Sequence, residues 1–101
     1  MDINKYIENE KGKWDFKSYA VVPAITCADG FTVSVQASRG HYCSPRDDFG
    51  PYSSFELGFP SEPDHLIMEY AENPSEPTGT IYGWVPVDVV EQLIENHGGV
   101  L

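Results

Sequence analysis

The spacing of apolar positions predicts helices at both ends of the chain. In "DINKYIENEKG", Ile3, Tyr6 and Ile7 fall at i, i+3 and i+4, with Asp2 placed to cap the start and Gly12 just past the end. In "VDVVEQLIENHGG", Val89, Val90, Leu93, Ile94 and His97 line one face. Asp88 and Glu91 suit the positive N-terminal end of that helix, and Gly98 stops it.

Between these segments the period shortens to two. "SYAVVPAITCADGFTVSVQA" holds two β-rich runs split by Asp29-Gly30, which signals a two-residue hairpin turn. Pro23 removes a ladder donor from the first run and so predicts an edge strand or a bulge there. Thr32, Ser34 and Gln36 alternate with Phe31, Val33, Val35 and Ala37, giving the second strand one polar and one buried face. "YSSFELGF" (52–59) predicts a third strand with Phe55, Leu57 and Phe59 on one side. "TIYGWVP" (80–86) predicts a fourth, broken at Pro86, with Tyr82 and Trp84 on one face and Ile81, Gly83 and Val85 on the other.

"SEPDHLIMEYAENP" supports two readings. Ser61 and Asp64 fit a capping box and Leu66 and Tyr70 fit helical spacing, which favours a short helix ended by Asn73-Pro74; a strand is the alternative. The expected architecture is a single α+β domain over residues 1–101. It has an antiparallel sheet of about four strands, with the C-terminal helix and short helices on one side.

Composition agrees with one modest core: 101 residues, 41% hydrophobic and 13% aromatic. No apolar run approaches the roughly 20 residues of a membrane span, and "MDINKYIENEKGK" lacks the apolar stretch of a signal peptide. A cytoplasmic location is therefore expected. In that reducing compartment Cys27 and Cys43 are expected to be free thiols.

Charge changes the picture more. The net charge is −10, and all six basic residues precede Asp47. From Asp47 onward there are eleven acids and no base, among them Asp47, Asp48, Glu56, Glu69, Glu72 and Glu76. Such a half repels nucleic-acid phosphates and anionic membranes and attracts a basic partner. The plainer reading is that acidity serves solubility, with Asp88, Glu91 and Glu95 as a solvated helix face.

The candidate chemistry lies in "GHYCSPRDDFGPY" (40–52). Cys27, His41 and Cys43, with Asp47, His65 or His97 as a fourth ligand, are the available zinc donors, but no tight Cys or His pair announces a site. On an extended backbone His41 stands roughly 7 Å from Cys43, too far for a nucleophile and its base. Asp47 and Asp48 read as turn acids, and Arg46 as a residue that pins the loop through carboxylate or carbonyl bonds. No phosphate-binding glycine pattern occurs, so no cofactor is expected.

The runs "HYCSPRDDFGPY", "ELGFPSEP" and "YAENPSEPTGTIYGWVPVDVVEQLIENHGG" resemble small acidic proteins of phage and prophage genomes. That resemblance implies a protein made in an infected bacterial cytoplasm. It implies as function inhibition of a host enzyme or of a CRISPR-type defence complex, whose nucleic-acid channels are basic. The expected partner is a basic surface of a host protein or protein–nucleic-acid complex, met by Asp47, Asp48, Glu56, Glu69, Glu72, Glu76, Tyr82 and Trp84. The alternatives are a small metal-binding or thiol enzyme centred on Cys27, His41 and Cys43, or a structural or regulatory phage protein.

Overall fold

The computed structural model describes residues 1–13 and 21–101. The elements run α1 (Ile3–Lys13), β1 (Ile25–Thr26), β2 (Thr32–Gln36), β3 (Ser54–Gly58), a 3-10 turn (Met68–Tyr70), β4 (Ile81–Pro86) and α2 (Val87–Asn96). The strands form one antiparallel sheet in the order β1-β2-β3-β4, and α2 packs on β3, β4 and α1. This is the expected α+β arrangement. Among the described residues no helix is long and apolar enough to cross a membrane.

Burial follows the apolar pattern. Ile3 and Ile7 of α1 and Val90, Leu93 and Ile94 of α2 meet Val33, Val35, Phe55, Leu57, Tyr82 and Val85 of the sheet, all buried. Each such side chain contributes roughly 1.5–3 kcal/mol by leaving water. Asp2 caps α1 by accepting the Lys5 N–H at 3.1 Å, and Glu91 accepts the Ile3 N–H at 3.0 Å. Glu91 is thus a cap on the neighbouring helix rather than part of a solvated face. The helix also runs through Gly12 to Lys13, one turn position beyond the expected stop.

The first β-rich run yields only a two-residue edge strand, and its residues 18–20 lie outside the described part. Pro23 cannot donate, and the Gln36 side chain stands in for a strand neighbour: its Oε1 accepts from Val22 N–H and its Nε2 donates to Val22 O, at 3.0 and 2.8 Å. The turn is one residue longer than expected. Cys27 N–H bonds Phe31 O at 2.8 Å, so Ala28, Asp29 and Gly30 form a three-residue loop with Gly30 at φ +95°.

β3 and β4 correct two face assignments. β3 ends at Gly58, and Phe59 turns out at φ +50° with 58% of its surface exposed, so only Phe55 and Leu57 point inward. Across the pair, Phe55 opposes Val85 and Leu57 opposes Tyr82, so the one residue of β3 between them, Glu56, faces two of β4. The extra residue is a β-bulge at Gly83 and Trp84, with Trp84 at φ +51°. The bulge resets the alternation: Tyr82 and Val85 are both fully buried, and Trp84 faces out. The two-residue period put Tyr82 and Trp84 together; the bulge separates them.

The segment after β3 is neither a regular helix nor a strand. Ser61 does not cap; it pairs with Thr32, accepting its N–H on Oγ at 3.0 Å. Asp64 instead accepts the Leu66 N–H at 3.0 Å and starts a run of turns that ends in the single 3-10 turn. Ala71 then bridges to Tyr82 on the open edge of β4.

Candidate functional site

The loop of residues 38–52 is built as a scaffold. Asp48, 9% exposed, accepts the Arg39 N–H at 3.1 Å, and its other oxygen lies 3.6 Å from Arg39 Nε. Lys11 donates to Asp48 O and to the Tyr52 hydroxyl, both at 3.1 Å, and that hydroxyl donates to Asp47 O at 2.8 Å. Asn4 completes the attachment to α1: its amide donates to Tyr52 O at 2.9 Å and its oxygen accepts the Tyr52 N–H at 2.6 Å. Burial pushes the Tyr52 hydroxyl pKa well above its ordinary range and pulls Lys11 down, with Asp48 opposing the latter. Arg46 does not pin the loop as expected. Its guanidinium sits 5.3 Å from the Tyr42 ring centre.

The thiol chemistry considered from sequence finds no support in these contacts. Cys43 Sγ donates to Ser38 O at 3.2 Å, and His41 Nδ1 pairs with Ser38 Oγ at 2.7 Å. Burial pushes the Cys43 thiol up and the His41 ring down, whereas an activated nucleophile needs a stabilised thiolate. Cys27 lies apart, at the end of β1 opposite Val100, and both cysteines are free and buried. Among the described residues no group of His, Cys, Asp and Glu side chains is arranged to hold a metal ion. A hollow of about 620 Å³ between α1 and the loop is lined by Ile7, Lys11, Phe49, Pro51 and Tyr52 among others.

The other face of β3 and β4 carries an aromatic platform. Glu56 points away from Phe55 and Leu57, and its carboxylate accepts the Tyr42 N–H at 3.0 Å. Tyr42 O in turn accepts the Trp84 N–H at 3.0 Å, and the two rings stack with centres 4.8 Å apart at 26°. Gly83 lies directly beneath Tyr42, where a Cβ would stand 3.4 Å from Tyr42 Cβ in ordinary van der Waals contact. Trp84 remains 50% exposed.

The expected interaction residues therefore separate into groups. Glu56 and Trp84 come together through Tyr42, which sequence reasoning did not single out. Glu69, Glu72 and Glu76 are exposed in the β3–β4 connection, where the Glu72 N–H donates to Ile81 O at 2.9 Å and lays that segment along the β4 edge. Asp47 is exposed on the α1 side, Asp48 is built into its loop, and Tyr82 is inside the core with its hydroxyl donating to Pro77 O. Tyr42 had one sequence signal: it precedes a turn-rich stretch as the sole aromatic between Gly40 and Pro45. Comparison with protein families, with curated proteins and with solved structures finds no match to this chain.

Proposed function

We propose that this chain is a non-enzymatic interaction protein that docks on a basic surface of a host protein or protein–nucleic-acid complex. Trp84 is the anchor, and Glu69, Glu72 and Glu76 supply the attraction. The observation that carries this reading is Trp84 itself, a half-exposed indole held at φ +51° on a Tyr42 ring. A bulky residue in that region costs roughly 1–3 kcal/mol, and an exposed indole recovers little of it by burial within its own chain. A partner that covers the ring would recover more, since Trp is prominent among residues that dominate interface energy. The net charge of −10 and the base-free second half add long-range steering toward a cationic partner.

The likeness to phage and prophage proteins extends the target to nucleic-acid-handling defence complexes in a bacterial cytoplasm, where these carboxylates would compete with phosphates. Affinity capture from such a host, followed by association kinetics, tests the reading. Trp84→Ala is expected to speed dissociation, and Glu72→Lys with Glu76→Lys to slow association most at low salt, since charges act over about 10 Å at 0.1 M but only about 3 Å at 1 M. Rates that ignore both changes and the salt concentration would overturn it.

A further inference from the structure

At the end of α2 the chain makes a two-glycine turn. The Gly99 N–H bonds Ile94 O at 2.9 Å and the Gly98 N–H bonds Glu95 O at 3.0 Å, the paired bonds of a Schellman ending, with both glycines at positive φ. The turn sends the last residues back along the open edge of β1. There the Ala28 N–H bonds Gly99 O, the Leu101 N–H bonds Thr26 O, both at 2.9 Å, and Cys27 opposes Val100. Burial holds this strip only weakly, because Val100 is 38% and Leu101 81% exposed.

His97 stands at the start of the strip, between two carboxylates. Its Nδ1 lies 2.7 Å from Asp29 Oδ2 in the β1–β2 turn, and its Nε2 lies 2.9 Å from Asp64 Oδ2 in the segment after β3. Its ring stacks on Phe31 at 3.8 Å and 8°. A neutral imidazole carries one N–H, so it can donate to only one of these acids and must turn a lone pair on the other. Only the imidazolium satisfies both, and a cation over an aromatic face is also favoured.

We propose that His97 is a protonation-controlled latch: as the imidazolium it joins the end of α2 to Asp29 and Asp64 and holds residues 98–101 on the β1 edge, and as the neutral ring it releases them. The released edge of β1 then presents unpaired backbone groups, the surface that strand addition uses. The titratable groups around the ring are Asp29 and Asp64, with His65 acting on Asp64 and the Cys27 thiol on the Asp29 side. Glu62 shares a shallow surface hollow with Asp29.

The electrostatics agree with the geometry. Burial works against a charged His97, but the bonds to Asp64 and Asp29 outweigh it and raise its pKa above the ordinary 6.5. Asp29 falls below its ordinary 3.8, first through the Phe31 N–H and then through His97. Burial resists ionisation of Asp64, yet the bonds from His97 and the Leu66 N–H carry it below 3.8. The His97 share of stability is therefore complete below pH 6.5 and is lost as pH rises through the folded value. The share of the two acids is complete above pH 3.8 and is lost as pH falls through their lowered values. All three charges are in place between pH 3.8 and 6.5.

Nitrogen-15 spectra of the His97 ring across pH, read beside hydrogen-exchange protection at the Ala28 and Leu101 amides, test the latch in the full chain. The expected result is a ring doubly protonated past pH 6.5, with both amides losing protection as that proton leaves. Asp64→Asn supplies an amide that can donate to a neutral ring, so its Ala28 and Leu101 protection is expected to stay level across the same range. A ring that titrates at its ordinary value, amide protection that ignores the ring's titration, or an Asp64→Asn variant that keeps the parent's pH dependence would each overturn the proposal. Should that variant fail to fold, the two readings on the parent still decide.

Discussion

Two acidic, turn-rich connections flank the sheet, and they use their carboxylates in opposite ways. In residues 38–52, Asp48 is withdrawn from water to accept the Arg39 N–H, and the loop is fastened to α1 through Lys11 and Asn4. In residues 59–80, Glu69, Glu72 and Glu76 remain in solvent, and the connection is held by backbone contacts such as Glu72 N–H to Ile81 O and by Asp64 at its start. The difference lies in what the backbone needs. Where a loop crosses a protein face, its N–H groups need acceptors, and short Asp side chains supply them. Where a connection runs along a sheet edge, strand carbonyls meet that need and the longer Glu side chains stay free.

The core shared by both connections sets the scale for testing this contrast. Leu93, fully buried in α2, is expected to cost about 2–5 kcal/mol as Leu93→Ala, read from the denaturant midpoint. A midpoint equal to the parent's would mean that α2 is not packed on the sheet. Asp48→Ala should come next, at about 1–3 kcal/mol, because it removes the charged acceptor of the Arg39 N–H. If it costs no more than an exposed Glu, the two connections do not differ as described.

Tyr82→Phe probes a buried side-chain hydroxyl that ties β4 to the second connection. It removes the bond to Pro77 O and is expected to cost about 0.5–1.5 kcal/mol in chemical unfolding. A larger loss would show that the second connection is as firmly built as the first. Smallest of all, Glu72→Lys with Glu76→Lys should change stability by under about 0.5 kcal/mol, since both side chains are exposed. Thermal melts of that pair and of the parent should coincide; a marked drop would place these acids in the scaffold rather than at a surface.

Apolar spacing at 3.6 and 2 residues located both helices, all four strands and the inward faces of α1, β2 and α2, because burial of one face is a demand made locally and repeated along an element. Pro23 calls for an edge strand or a bulge, and the run that carries it forms the edge strand β1. Asp2 as a cap and Gly98 as a stop were also legible, since both act within a turn of their own position. The charge division at Asp47 was plain from residue identity.

What tertiary structure alone decided was each feature that depends on a partner distant in the chain. The β4 bulge appears only when β4 is laid against β3, and it sends Tyr82 inside and leaves Trp84 out on Tyr42. Glu91 reads as a surface acid until the Ile3 N–H is brought to it from 88 positions away. His97 reads as one more position on a helix face until Asp29 and Asp64 close on its two nitrogens. A side chain's hydrogen-bond partner and protonation depend on three-dimensional neighbours, whereas its apolar period depends only on the chain. That is why the elements could be read from the sequence, and why the anchor proposed at Trp84 and the latch proposed at His97 required the fold.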